Sequence, residues 1–398
     1  MVYGLDVHKE FIQVCALGVD GRRAREFRIG GTAAEIEAFA QTLGPEDAVA
    51  LEATFHSWSI HRILKRHAGR VVVGNPLATK AIAHARIKTD KVDAHTLAQL
   101  LRADYLPAVE MPDEATWARR QLLSHRQLLV KHQRSLKNTI HAVFNRLLLP
   151  RPEGDPFSRK NRSWMRAEPL PETERLLVDN ALELLEQTEA RAAAVDARLL
   201  KLASVEASAK LLVTLPGVHV TVAMALLAAI GDVRRFPTPG QLSAYFGLVP
   251  RVSQSAGRCH HGSITKAGSS TARSLAIEAA QVVARSSSPL SATYWRVRRK
   301  RGHNVAVTAL ARKLIVVVWH LLQHGKPYRY APPARTRVKL RRLELERRRV
   351  SQVPQSLEDV YREARLPELT SPRPAERRAA ARNRAAITRL SRLAREES

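Results

Sequence analysis

The spacing of hydrophobic residues differs between the first part of the chain and the rest. In residues 1–105, short apolar runs typical of strands alternate with segments whose apolar residues have helical spacing. The predicted strands cover residues 2–5, 12–17, 26–29, 48–52 and 70–73, and the predicted helices cover residues 33–43 and 57–67. This order predicts an α/β domain in which helices cover a mixed sheet.

Two long helices are predicted in the next part of the chain. Apolar residues recur at three- and four-residue steps over residues 112–149 and 172–203, and a proline-rich loop lies between them. The second helix has the spacing of a coiled-coil seam, so the pair is either an antiparallel hairpin or a dimer arm. Residues 211–323 are predicted to be mostly helical, and arginines dominate after Pro327.

The fold class that follows is α/β plus α, in four parts. The predicted parts are an α/β domain over residues 1–105, a helical arm over 106–205, a mostly helical C-terminal domain over 206–327 and a basic tail over 328–398. Because the apolar pattern fades in the last part, we expect that tail to be solvated or conditionally helical.

The composition adds a strong charge. The 398 residues include 65 Lys and Arg against 37 Asp and Glu, a formal charge of +28, which favours a polyanionic partner over a small-molecule substrate. The cations are spread along the chain and form no single amphipathic anchor, so nucleic acid is a better partner than a membrane surface. Two cysteines exclude a disulfide framework and a cysteine zinc site.

A cytoplasmic location is expected. The sequence opens with no basic-then-apolar leader. The most apolar stretch, residues 314–319, follows Arg312 and Lys313 and is too short to span a bilayer, which favours a buried helix.

Four carboxylates are candidates for chemistry. Asp6 and Glu52 end two apolar strands, and Asp90 and Asp93 are spaced to share one face of a helix. If they converge, they form an oxygen-only ligand set suited to two Mg²⁺ ions that clamp a phosphate. Taken singly, each is better explained as a turn or surface residue.

The region around residues 215–268 contains two further candidate motifs. Residues 215–230 resemble a helix-hairpin-helix in which the turn at Gly217 faces a phosphate, although helix packing alone also explains such a turn. Residues 247–268 then hold serines in a glycine-flanked loop among cations, as attack on a phosphodiester requires. An ordinary Ser/Gly loop is the alternative.

These motifs resemble a known family. Residues 4–9, 51–54, 88–94 and 215–280 are similar, in order and spacing, to insertion-sequence transposases with an N-terminal RuvC-like DEDD domain and a C-terminal serine-bearing domain, relatives of the Piv DNA invertases. The resemblance covers about the first 325 residues. It implies a RuvC/RNase H-like sheet, a coiled-coil arm and a mostly helical C-terminal domain.

The resemblance also assigns roles. Asp6, Glu52, Asp90 and Asp93 would bind Mg²⁺, and Ser255 would attack DNA and hold one strand end as a 5′-phosphoserine. Ser253 is a competing nucleophile, because Ala256 stands where many relatives have glycine.

The implied partners are DNA, a structured guide called the bridge RNA, and further copies of the chain in a tetramer built from dimers. Cations beside the motifs would contact nucleic acid, although Lys88 and Lys91 could equally be ion-pair partners of the neighbouring aspartates. With Gly217, the candidate contacts are Lys88, Lys91, Arg119, Arg126, Lys131, Arg134, Arg251, Arg258, Lys266 and Arg273.

Two other functions remain open. One is a RuvC-like endonuclease that hydrolyses branched DNA with water as the nucleophile, and the other is a non-catalytic protein that binds RNA or DNA.

Overall fold

The computed structural model describes residues 1–18, 20–82, 89–150, 153–255, 258–351 and 381. The chain divides into two compact units, Met1–Asp113 and a helical unit from Glu114 onward. Each is described by itself. The predicted site residue Lys88 and most of the predicted tail beyond residue 351 lie outside the described residues.

A five-stranded mixed sheet forms the centre of the first unit. Its strands run in the order β3-β2-β1-β4-β5, with β1, β2 and β3 antiparallel and β4 and β5 parallel to β1. This is the RuvC/RNase H-like arrangement, so the predicted fold class is confirmed. The strands are β1 (Val2–Val7), β2 (Phe11–Leu17), β3 (Arg23–Gly30), β4 (Ala48–Glu52) and β5 (Arg70–Gly74).

Helices cover both faces of this sheet. Helices α1 (Ala33–Ala40) and α2 (Ser57–Leu64) pack on the face that carries Leu5 and Leu51, and α4 (Asp90–Arg102) packs on the opposite face. A short helix, α3 (Pro76–Ile82), follows β5. Alternate residues of β1 and β4 therefore point into two separate cores, as the pleat of a buried strand requires.

The helical arm is an antiparallel hairpin within one chain. It consists of α5 (Glu114–Arg146), the short α6 (Arg159–Ala167) and α7 (Glu172–Val205). Ion pairs join the two helical segments in reverse order, so within the chain they pack as an antiparallel hairpin. They are Arg119 with Glu206 at 3.0 Å, Arg126 with Asp196 at 2.6 Å and Arg146 with Glu174 at 3.2 Å.

The rest of the helical unit surrounds one large core. That core is lined by small and branched residues from several helices, and Leu314 and Val318 of α12 are fully buried in it. The elements are α8 (Ala207–Leu212), α9 (Val220–Ile230), α10 (Pro239–Tyr245), β6 (Pro250–Ser255), β7 (Arg258–Ile264), α11 (Ser270–Arg285), α12 (Ser291–His324) and α13 (Pro333–Ser351).

Helix α12 is long and apolar enough to cross a membrane by length and composition alone. It contains the apolar run at 314–319, whose side chains belong to the core of this unit. Gly302, with φ +79°, breaks its helical geometry after eleven residues. Burial within the helical unit therefore accounts for its apolar character.

The structure differs from the sequence expectation just after Pro327. Residues of the predicted tail form α13, which buries Leu340 and Leu343 in the main core. The Nζ atom of Lys339 donates to the carbonyls of Val213, Leu215 and Val218 at 2.9, 2.9 and 2.8 Å. Only a few apolar positions anchor this helix, and the many surrounding arginines hide them in the sequence.

Candidate active site and nucleic-acid interface

The ends of two parallel strands bring the first two carboxylates to one edge of the sheet. Leu5 of β1 pairs in register with Leu51 of β4, so Asp6 and Glu52 are the next residues along neighbouring strands. Both side chains are half-buried. Loops at the C-terminal ends of parallel strands are the usual place for a binding site in such folds.

Gly4 allows α4 to supply the other two carboxylates. A Cβ atom at Gly4 would lie 1.9 Å from the carbonyl oxygen of Ala94 and 2.6 Å from the nitrogen of Ala98, so the helix backbone packs directly on β1. Thr89 caps the helix by accepting a bond from the Val92 amide. The first turn of α4, with Asp90 and Asp93, therefore lies beside the end of β1.

The side chains meet around His8. Its Nε2 atom lies 3.1 Å from Oδ2 of Asp6 and 3.3 Å from Oδ1 of Asp90. One ligand atom from each of these three residues lies within 4.8 Å of the others. The Nη2 atom of Arg28 also approaches Asp90, at 3.5 Å.

The surroundings of Asp6 change its pKa. Burial raises the pKa of the Asp6 carboxyl, and the negative charges of Asp93 and Asp90 raise it further against the opposing effect of His8. Asp93 therefore acts electrostatically on Asp6. Glu52 lies at the adjacent strand end by its register position.

This donor set is suited to a divalent cation. Carboxylate oxygens are hard ligands, and a bound cation would offset both the burial of the Asp6 carboxylate and the repulsion that Asp93 and Asp90 exert on it. In the structure His8 contacts one oxygen of Asp6 and one of Asp90, and the positively charged Arg28 approaches the other oxygen of Asp90. The residues present therefore fit a divalent metal.

Sequence reasoning did not select His8 or Arg28 as site residues. The signal for His8 was its place two residues after Asp6, since alternate residues of an extended segment point the same way. Arg28 lies on β3, and no local pattern connects it with α4. Its guanidinium also stacks over Phe11, with the central carbon 4.3 Å from the ring centroid.

The expected serine loop is a β-hairpin in the structure. Ser253 pairs with His260, and Ser255 pairs with Arg258 as the last residue of β6. The side chain of Ser253 is exposed, whereas the side chain of Ser255 lies outside the described part of the chain. The hairpin was missed because most of its side chains are polar and exposed, so it has no apolar alternation.

The turn at Gly217 has a packing role. Gly217 has φ +78°, and a Cβ atom there would lie 2.4 Å from the carbonyl oxygen of Ala279 on α11. This turn joins α8 to α9 in the helix-hairpin-helix-like arrangement that the sequence predicted.

Several of the predicted nucleic-acid contacts have partners inside the fold. Lys91 lies 3.4 Å from Glu26, and Arg119 and Arg126 pair across the helical arm as described above. Arg273 donates to the carbonyls of Ala267 and Phe246. Five of the predicted contacts are exposed and make no ion pair among the described residues: Lys131, Arg134, Arg251, Arg258 and Lys266.

A second group of cations was not selected from the sequence. Arg299, Lys300 and Arg301 are exposed on α12 just before the break at Gly302, and none makes an ion pair within the described ranges. Glu278 is the only acidic residue between Asp232 and Glu344 in the sequence. This part of the helical unit therefore carries a strongly positive surface, which we call the α12 cationic face.

Two family models match the chain. Residues 3–148 match a model for the DEDD domain of IS110 elements, described as "Transposase". Residues 209–296 match a model described as "Transposase IS116/IS110/IS902 family". The first match contains the four carboxylates, and the second contains Ser255 and its hairpin.

Relatives agree with these matches. A probable family 20 transposase of Pseudomonas aeruginosa is 28% identical over 82% of this chain and 98% of its own length. The transposase for insertion sequence element IS1111A of Coxiella burnetii is 25% identical over 82% and 91%, respectively. A pilin gene-inverting protein of Moraxella bovis is 29% identical over 30% of this chain and 38% of its own length.

A RuvC-like sheet that gathers acidic residues, together with these matches, defines the protein as a transposase, an enzyme that cleaves and transfers DNA. The chain belongs to the IS110/IS116/IS902 family of insertion-sequence transposases.

Proposed function

We propose that this transposase cuts and rejoins DNA through a phosphoserine at Ser255, with Mg²⁺ held by Asp6, Glu52, Asp90 and Asp93. The convergence of Asp6 and Asp90 on His8 is the observation that carries the proposal. The match of the serine-bearing region to a transposase model supports the choice of nucleophile.

The four carboxylates reach the acidic site from two kinds of element. Asp6 and Glu52 hold their oxygens at the strand ends, and Asp90 and Asp93 approach from the first turn of α4. When bound, Mg²⁺ supplies Lewis-acid stabilisation of negative charge on a phosphate. His8 keeps the Asp6 and Asp90 oxygens oriented toward one point through its two contacts.

Ser255 would act at a phosphodiester. Its hydroxyl oxygen forms a bond to phosphorus, and the bond from phosphorus to the 3′ oxygen breaks. The serine proton passes to a base or to water, and the departing 3′ oxygen takes up a proton. The product is a 5′-phosphoserine and a free 3′ hydroxyl, and attack by a 3′ hydroxyl on the phosphoserine restores a phosphodiester without an external energy source.

Selection of DNA sites would fall to a bridge RNA. The net charge of +28 and the exposed cations of the helical unit support binding of RNA and DNA backbones, with base pairing supplying sequence choice. A cytoplasmic tetramer built from dimers is proposed on the family resemblance. The proposed contacts with nucleic-acid backbones are the exposed residues Lys131, Arg134, Arg251, Arg258 and Lys266. Lys88 is kept on its sequence position alone.

The test is covalent trapping on element-end DNA with Mg²⁺ present. The wild-type chain should form a denaturation-resistant protein–DNA adduct, and Ser255→Ala should form none. Ser253→Ala is the matched control on the same strand and should keep the adduct. Asp6→Asn should abolish both adduct and recombination while its thermal unfolding shows a folded chain.

Other outcomes would overturn the proposal in defined ways. An adduct that survives Ser255→Ala but disappears in Ser253→Ala would transfer the nucleophile to Ser253. Cleaved, unjoined products without any adduct would indicate hydrolysis by water, as in a RuvC-like endonuclease. Binding without any cleavage would indicate a non-catalytic protein.

A further inference from the structure

Phe55 is the most exposed large apolar side chain among the described residues. It is 98% exposed and follows Glu52 by three positions, at the C-terminal end of β4. A phenylalanine in water forgoes the free energy of burial, and single exposed apolar residues are common on surfaces. Its place beside the catalytic carboxylates is what calls for a functional explanation.

The loop that carries Phe55 is ordered. The Ser57 hydroxyl donates to the Thr54 carbonyl at 2.8 Å, and the Ser57 amide donates to the same oxygen at 3.4 Å. Phe55 lies inside this turn, and its ring makes an edge contact with His56 at a centroid distance of 5.7 Å. The turn therefore fixes the backbone on both sides of Phe55, and the ring stays exposed.

A second exposed apolar residue lies at the same edge of the sheet. β5 pairs in parallel with β4, with Glu52 opposite Gly74, so the segment after Gly74 emerges on the carboxylate side. Leu77 in that segment is 84% exposed. Two such side chains are far below the area that a stable protein interface buries, so a small flat group is a better occupant than a protein.

We propose that Phe55 stacks on a base of the DNA strand whose phosphate is bound by Asp6, Glu52, Asp90 and Asp93. The inference rests on the proposed function of those carboxylates. An aromatic ring accepts any base, since every base has a flat apolar face, and it needs no hydrogen bonds. Stacking would fix the strand next to the acidic site, which makes Phe55 a positioning residue.

The experiment compares side chains that can and cannot stack. Binding of a labelled single-stranded DNA, and of a duplex with a central unpaired bubble, is measured by fluorescence anisotropy with Ca²⁺ in place of Mg²⁺. Phe55→Ala should weaken binding about tenfold, and Phe55→Trp and Phe55→Tyr should stay within about twofold of wild type. Phe55→Leu, which keeps an apolar surface without a ring, should resemble Phe55→Ala.

Abasic DNA separates a base contact from a backbone contact. Single abasic positions are scanned along the same strand with the wild-type chain and Phe55→Ala. At one position, removal of the base should weaken wild-type binding about tenfold. The same abasic position should leave the affinity of Phe55→Ala unchanged, because that variant has already lost the contact. An unchanged difference between the two proteins at every abasic position would overturn the base contact.

Two further outcomes would also overturn the inference. If Phe55→Leu binds like wild type, apolar burial and not stacking explains the residue. If Phe55→Ala changes the sedimentation coefficient of the free chain, a second copy covers the ring. Serine-adduct formation by the wild type is scored separately, so Phe55 can fail as a stacking residue while the proposed recombination stands.

Discussion

In the sheet unit the acidic side chains are gathered by close backbone packing, whereas in the helical unit a group of cations on α12 is exposed and makes no ion pair among the described residues. Asp90 and Asp93 approach Asp6 because α4 contacts β1 at Gly4. Arg299, Lys300 and Arg301 project from the turn before Gly302, in a stretch almost free of acidic residues. Placing a small ion requires accurate geometry, but attracting a polyanion requires only charge density.

Among the substitutions that test this contrast, Gly4→Val is expected to have the largest effect on activity and stability. The added side chain would collide with the α4 backbone at Ala94 and Ala98, so the helix must move away from β1. Adduct formation should be lost completely, and the thermal transition should fall. Calorimetry and the trapping assay measure the two effects.

Gly44→Ala is the matched control for that substitution. The nearest atom to a Cβ at Gly44 is a side-chain oxygen of Asp47 at 3.9 Å, so the change should be tolerated. Full activity of Gly4→Val would show that α4 does not need its close contact with β1.

Lys339→Met tests whether a positively charged side chain of the helical unit also stabilises the fold. Burial and the nearby Arg335 lower the pKa of Lys339 to about 8, which leaves the amine protonated at neutral pH and able to donate all three bonds. Its loss leaves three turn carbonyls without that donor, and the free energy of unfolding should fall by about 3 kcal/mol. Urea denaturation measures this change.

Lys326→Met is the control, because Lys326 is exposed. Its free energy of unfolding should stay within about 0.5 kcal/mol of wild type. Equal losses in the two variants would show that the three hydrogen bonds of Lys339 add nothing to stability.

Removal of the charges of the α12 cationic face should have a smaller effect than the two substitutions above, and it should change DNA binding alone. The triple variant Arg299→Gln, Lys300→Gln and Arg301→Gln should bind duplex DNA about tenfold more weakly, with a salt slope reduced by about 2 to 3. Unfolding should be unchanged, since these side chains are exposed. Anisotropy titrations over a range of salt concentrations measure both quantities.

A charge-matched control exists on α7. Arg191, Arg198 and Lys201 are exposed there and make no ion pair in the described part of the chain, and their replacement by Gln removes the same residue types. The α7 variant should bind more tightly than the α12 variant. Indistinguishable affinities would mean that net charge alone, without a localised surface, drives binding.

Much of the sheet unit was predictable because its strands carry clear apolar signals. Residues 12–17 and 48–52 were predicted as strands and form most of β2 and all of β4. β3 begins earlier than predicted, at Arg23, and these first residues were missed because Arg23, Ala24 and Arg25 are exposed and carry no apolar pattern.

The helical unit was less predictable at its polar elements. The β6–β7 hairpin was expected to be a loop, and α13 was expected to be part of a tail. Both are rich in polar side chains, and in both the stabilising contacts are long-range or between backbone atoms. Lys339 reaches carbonyls more than a hundred residues earlier in the sequence, which no local pattern can indicate.

By itself, the sequence determined the α/β character of the first unit and the positive charge, and it made the four carboxylates candidates, because period, composition and motif spacing can be read from the sequence alone. Only the tertiary structure decided that His8 and Arg28 join those carboxylates, that Arg119 and Arg126 are occupied by acidic partners, and that Phe55 stays exposed. These outcomes depend on which backbones can approach each other, as at Gly4, and that approach is set by the packing of the whole unit.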